Sequence, residues 1–161
     1  MNVTKTPLEG LLIIEPRVFA DDRGYFFESY NMQALAAASG YNTPFVQDNQ
    51  ARSVKNVLRG LHYQNTPTPQ AKLIRVLEGA IWDVAVDIRK NSPTYRQWFG
   101  IELSAGIKLQ LLIPHGFAHG YAVLTDTSEV FYKCDNFYNK SVEAGIYFAD
   151  PEIGVSWKID I

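Results

Sequence analysis

The segment Arg59–Gln64, which reads RGLHYQ, places a guanidinium, a glycine and an imidazole within a few residues of one another. Histidine titrates near neutral pH, so His62 can accept a proton under physiological conditions. The planar, permanently charged side chain of Arg59 suits phosphate or carboxylate groups. A lone histidine more often completes a hydrogen bond in a protein core. The spacing therefore raises a hypothesis, proton transfer on an anionic substrate, that needs support from the rest of the chain.

A second histidine segment, Pro114–Gly120, reads PHGFAHG and follows the apolar run at 111–113. Together with further ordered matches, it makes the sequence resemble the dTDP-4-dehydrorhamnose 3,5-epimerase family of sugar-nucleotide metabolism. The resemblance covers nearly all of the chain. The matching segments are Asp21–Gly24, Phe27–Tyr30, Gln47–Asn49, Val57–Gln64, Lys72, Asp83–Arg89, Ser92–Thr94, Pro114–Tyr121 and Tyr132–Lys133.

Length and composition restrict the possible classes of protein. A chain of 161 residues that is 47% hydrophobic predicts one globular domain, residues 1–161, with one core. A formal net charge of -2 without a basic run argues against nucleic-acid binding. No stretch approaches the ~18 apolar residues that span a membrane, and no signal peptide is recognisable, so we expect a cytoplasmic protein without membrane association. Cys134 is the single cysteine, and we expect it to serve packing.

The apolar residues mostly alternate or form short blocks between Gly, Pro, Asn and Asp, which predicts an all-β fold. In Ile81–Arg89, alternation places Trp82 and the following even-numbered residues on a core face, and Asp83 on a functional or paired face. The other predicted strands are Leu11–Glu15, Tyr25–Tyr30, Phe45–Ala51, Val57–Tyr63, Lys72–Leu77, Trp98–Leu103, Leu109–Ile113, His119–Leu124, Val130–Lys133, Gly145–Phe148 and Val155–Trp157.

One short surface helix is predicted, between Asn31 as N-cap and Gly40 as left-handed terminus. Many short strands favour a sandwich or jelly roll. The resemblance implies a cupin-like double-stranded β-helix (jelly roll) and a homodimer with exchanged N-terminal strands. Strict alternation would put Arg59 and His62 on opposite faces. If both contact the substrate, a bulge is required, and Gly60 could host it.

Epimerisation beside a ketone needs a base, a group that stabilises the enolate, and an acid on the opposite face. His62 is the expected base, because an imidazole is partly neutral at pH 7, and the resemblance gives it the same role. Lys72 follows the turn-rich stretch 65–70, where composition alone would favour a solvated lysine, and the resemblance makes it the expected cation for the enolate oxygen. The resemblance implies Tyr132 as the acid. We expect His119 near His62, and Asp83 to orient one of the two imidazoles.

The substrate-binding residues are implied by the resemblance. They are Arg23 and Arg59 for the phosphates and the sugar, Gln47 and Asn49 for amide hydrogen bonds, Glu28 and Tyr138 for the thymine, and Glu143 for a further contact. The family usually carries, after a Trp-Pro pair, a Lys-Asp step whose aspartate pairs with the catalytic histidine, whereas this chain reads Trp157–Ile161 (WKIDI). Three alternatives follow: Asp83 or another internal carboxylate orients His62, the dyad is weaker, or the substrate differs. His115 has no assigned role.

Competing functions remain. The pattern Pro114-x-Gly116-x-x-His119 is similar to the second motif of metal-dependent cupins such as dioxygenases, but Tyr63 and Gln64 stand where a second imidazole would be needed. A non-catalytic sugar-nucleotide binder would need neither His62 nor Tyr132. We therefore expect a cofactor-independent isomerase without a metal.

The resemblance implies epimerisation at C3 and C5 of dTDP-4-dehydro-6-deoxy-D-glucose, in the biosynthesis of L-rhamnose for cell-surface polysaccharides. The alternatives within the same chemistry are epimerisation of one carbon only, or a reaction on another 4-keto-6-deoxy nucleotide sugar.

Overall fold

The computed structural model describes residues 1–160. The strands are β1 (Asn2–Lys5), β2 (Leu12–Glu15), β3 (Val18–Asp21), β4 (Gly24–Phe27), β5 (Gln47–Val54), β6 (Leu58–Gln64), β7 (Lys72–Glu78), β8 (Ala80–Asp87), β9 (Trp98–Ser104), β10 (Gln110–Ile113), β11 (Phe117–Val123), β12 (Thr127–Cys134) and β13 (Glu143–Gly145). Helix α1 spans Met32–Ser39, and a 3₁₀ helix spans Lys140–Val142. Neither of these helices has the length and apolar character that a bilayer crossing requires.

Two antiparallel sheets make up the body of the described part of the chain. The larger contains β1, β2, β10, β7, β12 and β5 in spatial order, and the smaller contains β13, β6, β11, β8 and β9. From β5 to β13 successive strands alternate between the sheets, except at the β8–β9 hairpin. Strands β3 and β4 pair as a separate hairpin. This is a cupin-like double-stranded β-helix, or jelly roll, and it confirms the predicted fold class.

Alternation along the strands separates two apolar clusters. Inward-facing residues such as Ile81, Ala85 and Val130 pack in the core between the sheets. Val84 and Val86 face the other way, into a cluster on the outer face of the smaller sheet. Strand β8 is thus buried on both faces, which fits its continuous apolar character. The predicted division of its residues between two faces is confirmed, but the predicted core face is wrong. The core between the sheets lies on the face of Ile81 and Ala85, whereas Trp82 and Val84 face the outer cluster.

Helix α1 begins and ends where the sequence predicts. The Asn31 side chain accepts a hydrogen bond from the Ala34 N–H at 3.0 Å, and Gly40 adopts φ 77° while its N–H donates to the Ala36 carbonyl. Leu35 is buried against Leu73 of the larger sheet. The helix therefore covers part of the outer face of that sheet.

Some predicted elements differ from the structure. Strands β1 and β3 were not predicted, because each has four mostly exposed residues and so gives little periodic signal. The strand predicted at Val155–Trp157 is wrong, since that segment has no strand conformation. Its apolar residues instead cover the outer cluster, where the Trp157 indole N–H donates to the Phe148 carbonyl and the Trp82 indole N–H donates to the Ser156 carbonyl.

Candidate active site

A cavity of about 470 Å³ opens between the two sheets, where six strands contribute polar side chains. Most of the predicted site residues line this cavity. They are His62, Lys72, His119 and Tyr132 from the predicted catalytic set, and Gln47, Asn49, Arg59, Tyr138 and Glu143 from the predicted binding set. Six strands and the connection between β12 and β13 supply these side chains, so residues that are distant in sequence line the same cavity.

A β-bulge at Gly60 brings Arg59 and His62 to the same side of β6. His62 lies opposite His119 on β11 and Arg59 lies opposite Tyr121, so three steps on β6 match two steps on β11. Gly60 has φ 123°, and a Cβ atom there would lie 2.5 Å from the Gly120 Cα. Only glycine fits such a conformation and such a close approach. The predicted bulge is confirmed.

The two imidazoles of the cavity have different partners. His119 Nε2 lies 3.1 and 3.0 Å from the two Asp83 carboxylate oxygens, and both side chains are buried. An ionised carboxylate only accepts, so the His119 Nε2–H is the donor. The His62 ring makes no hydrogen bond within residues 1–160. Of the two imidazoles, Asp83 therefore orients His119, and the alternative in which Asp83 orients His62 is wrong.

The electrostatics favour a neutral imidazole at His62 and a neutral phenol at Tyr132. Burial, followed by the positive charge of Lys72, lowers the pKa of His62. Burial also lowers the pKa of Lys72, against the attraction of the nearby acidic groups. Burial raises the pKa of Tyr132, whose ring centroid lies 5.8 Å from the Lys72 Nζ atom. At neutral pH the cavity can thus offer a proton acceptor and a proton donor.

Tyr138 and Arg59 are held by the walls of the cavity. The Tyr138 N–H donates to the Gln47 side chain at 2.8 Å, and the Tyr138 hydroxyl donates to Glu143 at 2.8 Å. The exposed ring therefore offers a flat surface tethered at both ends. Arg59 Nε donates to Ser53 Oγ at 2.9 Å. In the part of the chain that is described, its terminal N–H groups make no hydrogen bond and are free for an anion.

Arg23 and Glu28 do not line the cavity of their own chain. Arg23 lies in the β3–β4 turn with its side chain 90% exposed, and its guanidinium binds Asp21 at 2.6 Å. Glu28 is an exposed residue that follows β4. The hairpin between them also exposes Phe19 and Phe26. Within one chain, the predicted substrate contacts of Arg23 and Glu28 are not made.

Several residues that line the cavity were not predicted, among them Tyr121, Gln64 and Gln70. Tyr121 and Gln64 each lie two positions after a predicted histidine, so alternation alone would have placed them on the same face. The Tyr121 hydroxyl is buried and has no hydrogen-bond partner among residues 1–160. Gln64 joins two loops, since its side chain donates to the Thr68 carbonyl and accepts from the Asn139 N–H. Gln70 carries no sequence signal that would have identified it.

Metal-ligating side chains are not grouped around the cavity. The described residues contain no cluster of three or more His, Cys, Asp or Glu side chains that could hold a metal ion. His119 is already engaged by Asp83, and the cavity adds Glu143 as a carboxylate.

A cupin-like jelly roll whose cavity combines a neutral imidazole, a lysine and a protonated phenol defines an isomerase that moves protons on carbon. The chain belongs to the dTDP-4-dehydrorhamnose 3,5-epimerase family, whose model matches residues 5–161. The dTDP-4-dehydrorhamnose 3,5-epimerase of Shigella flexneri is 52% identical over 159 residues, which are 99% of this chain and 88% of that protein.

Two solved structures extend the comparison. The dTDP-6-deoxy-D-glucose-3,5-epimerase of Legionella pneumophila, in complex with dTDP-4-keto-L-rhamnose, is 45% identical with a TM-score of 0.95, covering 99% of this chain and 84% of that chain. A double mutant of a 3'-monoepimerase from Streptomyces bikiniensis, in complex with dTDP, is 30% identical with a TM-score of 0.90, covering 98% of this chain and 78% of that chain. The same fold thus occurs in enzymes that are named as epimerases of two carbons and in one named as an epimerase of a single carbon.

Proposed function

We propose that the protein converts dTDP-4-dehydro-6-deoxy-D-glucose into dTDP-4-dehydro-L-rhamnose by epimerisation at C3 and C5, in the cytoplasm. The observation that carries the proposal is the convergence of His62, Lys72 and Tyr132 on one cavity in a member of this family. A C–H bond beside the C4 ketone is acidic, and its removal leaves an enolate. Each of these three side chains suits one of the three steps that the reaction needs.

His62 acts as the base in this proposal. The depressed pKa keeps the imidazole neutral at physiological pH, so it can take a proton from C3 or C5. Lys72 stabilises the enolate oxygen, since a fixed cation in a partly desolvated cavity favours developing negative charge. Tyr132 returns a proton from the opposite face, because its raised pKa keeps the phenol protonated. No step requires a redox change.

Asp83 and His119 have a supporting role. The buried carboxylate fixes the His119 ring and its tautomer through Nε2. His119 lies directly opposite His62 in the strand register. We assign to His119 the polarisation of a substrate oxygen near the base, and to Asp83 the orientation of His119. Arg59, Gln47, Asn49, Tyr138 and Glu143 bind the nucleotide.

A homodimer with exchanged N-terminal strands would complete the site. Arg23 and Glu28 lie outside the cavity of their own chain, and the hairpin that connects them exposes Phe19, Tyr25 and Phe26, the last at 70%. A second copy could cover this apolar surface and receive the two charged residues. Mixing Arg23→Ala and His62→Ala proteins tests the proposal, because an exchanged mixed dimer contains one intact site and regains activity. Failure of the mixture to regain activity after subunit exchange would contradict it.

The reaction itself is tested by deuterium incorporation. The protein is incubated with dTDP-4-dehydro-6-deoxyglucose in deuterated water, and the deuterons that enter the sugar are counted. Two deuterons are expected. One deuteron would favour the second candidate, a one-carbon epimerase, to which the likeness to a 3'-monoepimerase points. No incorporation, with binding retained, would indicate a non-catalytic sugar-nucleotide binder.

A further inference from the structure

A histidine, an aspartate and a tyrosine meet outside the cavity. His115 lies in the β10–β11 turn, Asp135 follows β12, and Tyr41 follows α1. His115 Nε2 lies 2.7 Å from Asp135 Oδ2, and the Tyr41 hydroxyl donates to the same oxygen at 2.9 Å. The Asp135 side chain is fully buried, whereas that of His115 is 45% exposed. The cluster therefore connects a buried carboxylate to the protein surface.

The other oxygen of Asp135 binds the main chain just before Lys72. Asp135 Oδ1 accepts the Ala71 N–H at 2.7 Å, and the Asp135 N–H donates to the Ala71 carbonyl at 3.3 Å. Ala71 is buried, and Lys72 pairs with Cys134 in the strand register. The carboxylate thus fixes the start of β7 against the end of β12, at the position where Lys72 enters the cavity.

Neighbouring bonds strengthen the same junction. The Gln70 side chain donates to the Asn136 carbonyl at 2.8 Å, and the Asn136 side chain donates to the Pro69 carbonyl at 2.6 Å. Both are bonds to main-chain carbonyls, so side chains rather than a regular ladder hold the two segments together. Asp135 is the charged member of this junction, and a buried carboxylate is stable only when several donors satisfy it.

Tyr41 and His115 provide those donors from two directions. Burial, together with the Asp135 charge, raises the pKa of the Tyr41 phenol, so Tyr41 stays a donor over the whole physiological range. Tyr41 also stacks on Phe45, with ring centroids 5.3 Å apart, which anchors its position. His115 closes the cluster from the solvent side. With both donors in place, Asp135 Oδ1 remains directed at Ala71.

We propose that His115, Asp135 and Tyr41 form a positioning device that holds the Lys72 ammonium in its place in the cavity. The device acts through the Asp135–Ala71 hydrogen bond, and none of its three residues lines the cavity. The proposal rests on the role of Lys72 as the enolate-stabilising cation. A displacement of about 1 Å at a catalytic group can cost about a hundredfold in rate, so the junction has kinetic as well as structural importance.

A double-mutant cycle tests the proposal. Asp135→Ala should lower kcat by about tenfold to a hundredfold and change KM less, because Lys72 acts mainly on the enolate. Asp135→Asn should show a smaller loss than Asp135→Ala, since the amide oxygen still accepts from Ala71 but the amide nitrogen cannot accept from Tyr41. In a Lys72→Met background, Asp135→Ala should cause no further loss of kcat. The His115 side chain is partly exposed, so we expect His115→Ala to fold. Its loss of kcat should be smaller than that of Asp135→Ala and should also vanish in the Lys72→Met background.

Asp87 provides a matched control. It is a second fully buried carboxylate, it accepts from Arg89, Ser92 and Thr94, and it does not line the cavity. Asp87→Ala should lower the thermal midpoint but leave kcat of the folded protein unchanged. Equal losses from Asp135→Ala in the wild-type and Lys72→Met backgrounds, or wild-type kcat in Asp135→Ala, would overturn the positioning proposal alone. Wild-type turnover in Lys72→Met would overturn the role of Lys72 and, with it, this proposal.

Discussion

The space between the two sheets is filled at one end and open at the other, although the same strands build both ends. Strand β7 contributes Val76 and Ile74 to the filled end and Lys72 to the open end. On β12, Val130 packs in the core, and Tyr132 reaches the cavity. Strand alternation determines which residues face inward. The type of each inward residue then decides whether it contributes stability or chemistry.

The two ends also differ in energetic terms. Burying an apolar side chain such as that of Ile74 contributes ~1.5–3 kcal/mol to folding. Burial of Lys72 opposes its charged form, which is why its pKa is lowered. We therefore expect changes at the filled end to affect unfolding, and changes at the open end to affect turnover.

The largest expected effect on turnover comes from His62→Ala. Loss of the base should lower the rate of exchange at both carbons by ~10²–10⁴-fold or more. The thermal midpoint should change little, because the His62 ring makes no hydrogen bond within the described residues. Deuterium incorporation and a thermal melt measure the two quantities. Wild-type turnover in this variant would rule out His62 as the base.

Leu103→Ala is the counterpart at the filled end. Leu103 is fully buried on β9 and packs in the core between the sheets. Its truncation should lower the free energy of unfolding by ~2–5 kcal/mol through lost transfer energy and a residual cavity. Denaturant unfolding measures that change, and kcat of the folded protein should stay at its wild-type value. A large drop in kcat at unchanged stability would contradict the separation of the two ends.

Asp83→Asn tests a residue that combines features of the filled and the open end, because Asp83 is fully buried and yet binds His119 of the cavity. An amide can donate where a carboxylate only accepts, so the wrong His119 tautomer becomes accessible. Activity should fall by about tenfold or more. The thermal midpoint should change little. Full activity would show that His119 needs no carboxylate, and unfolding would show that Asp83 is purely structural.

The titration of His62 tests the electrostatic coupling inside the open end. An NMR titration should give a pKa below the ordinary 6.5, and Lys72→Met should raise it, since a nearby cation disfavours the imidazolium. The folded state then binds fewer protons than the unfolded state, so this group lowers stability as the pH falls below 6.5. An unchanged or lower pKa in the variant would exclude Lys72 as a cause.

A chelator should have no effect on turnover. The described residues offer no cluster of three metal-ligating side chains near either cavity histidine. The effect on turnover is measured by an activity assay after dialysis against EDTA, with added zinc or iron as the control. Stoichiometric metal whose removal abolishes turnover would show that the competing metal-dependent class applies.

Much of the fold could be predicted because its signals are local. Alternation indicated most strands, and Asn31 and Gly40 marked the ends of α1. The short strand β1 lacked such a signal. The segment Val155–Trp157 carried a misleading one, because its apolar residues cover a sheet without joining its hydrogen-bond ladder. Apolar spacing reports burial, and backbone pairing requires a partner strand that the spacing does not specify.

Prediction of the site depended on contacts of longer range. The bulge at Gly60 could be predicted, because Arg59 and His62 had to share a face and glycine was available between them. The partner of Asp83 could not, since only the pairing of β8 with β11 decides which imidazole it meets. The contact between His115 and Asp135 could not be predicted from the sequence either, because it joins the β10–β11 turn to the residue after β12.

The charges of the cavity wall also bear on how a ligand arrives. The chain carries a formal net charge of -2, yet Arg59 and Lys72 both line the cavity, where Glu143 is the lining carboxylate. A local positive potential steers anions over roughly one Debye length, ~10 Å at 0.1 M salt and ~30 Å at 0.01 M. Capture of a sugar nucleotide should therefore slow as ionic strength rises, which lowers kcat/KM. Turnover of substrate already bound should be insensitive to salt.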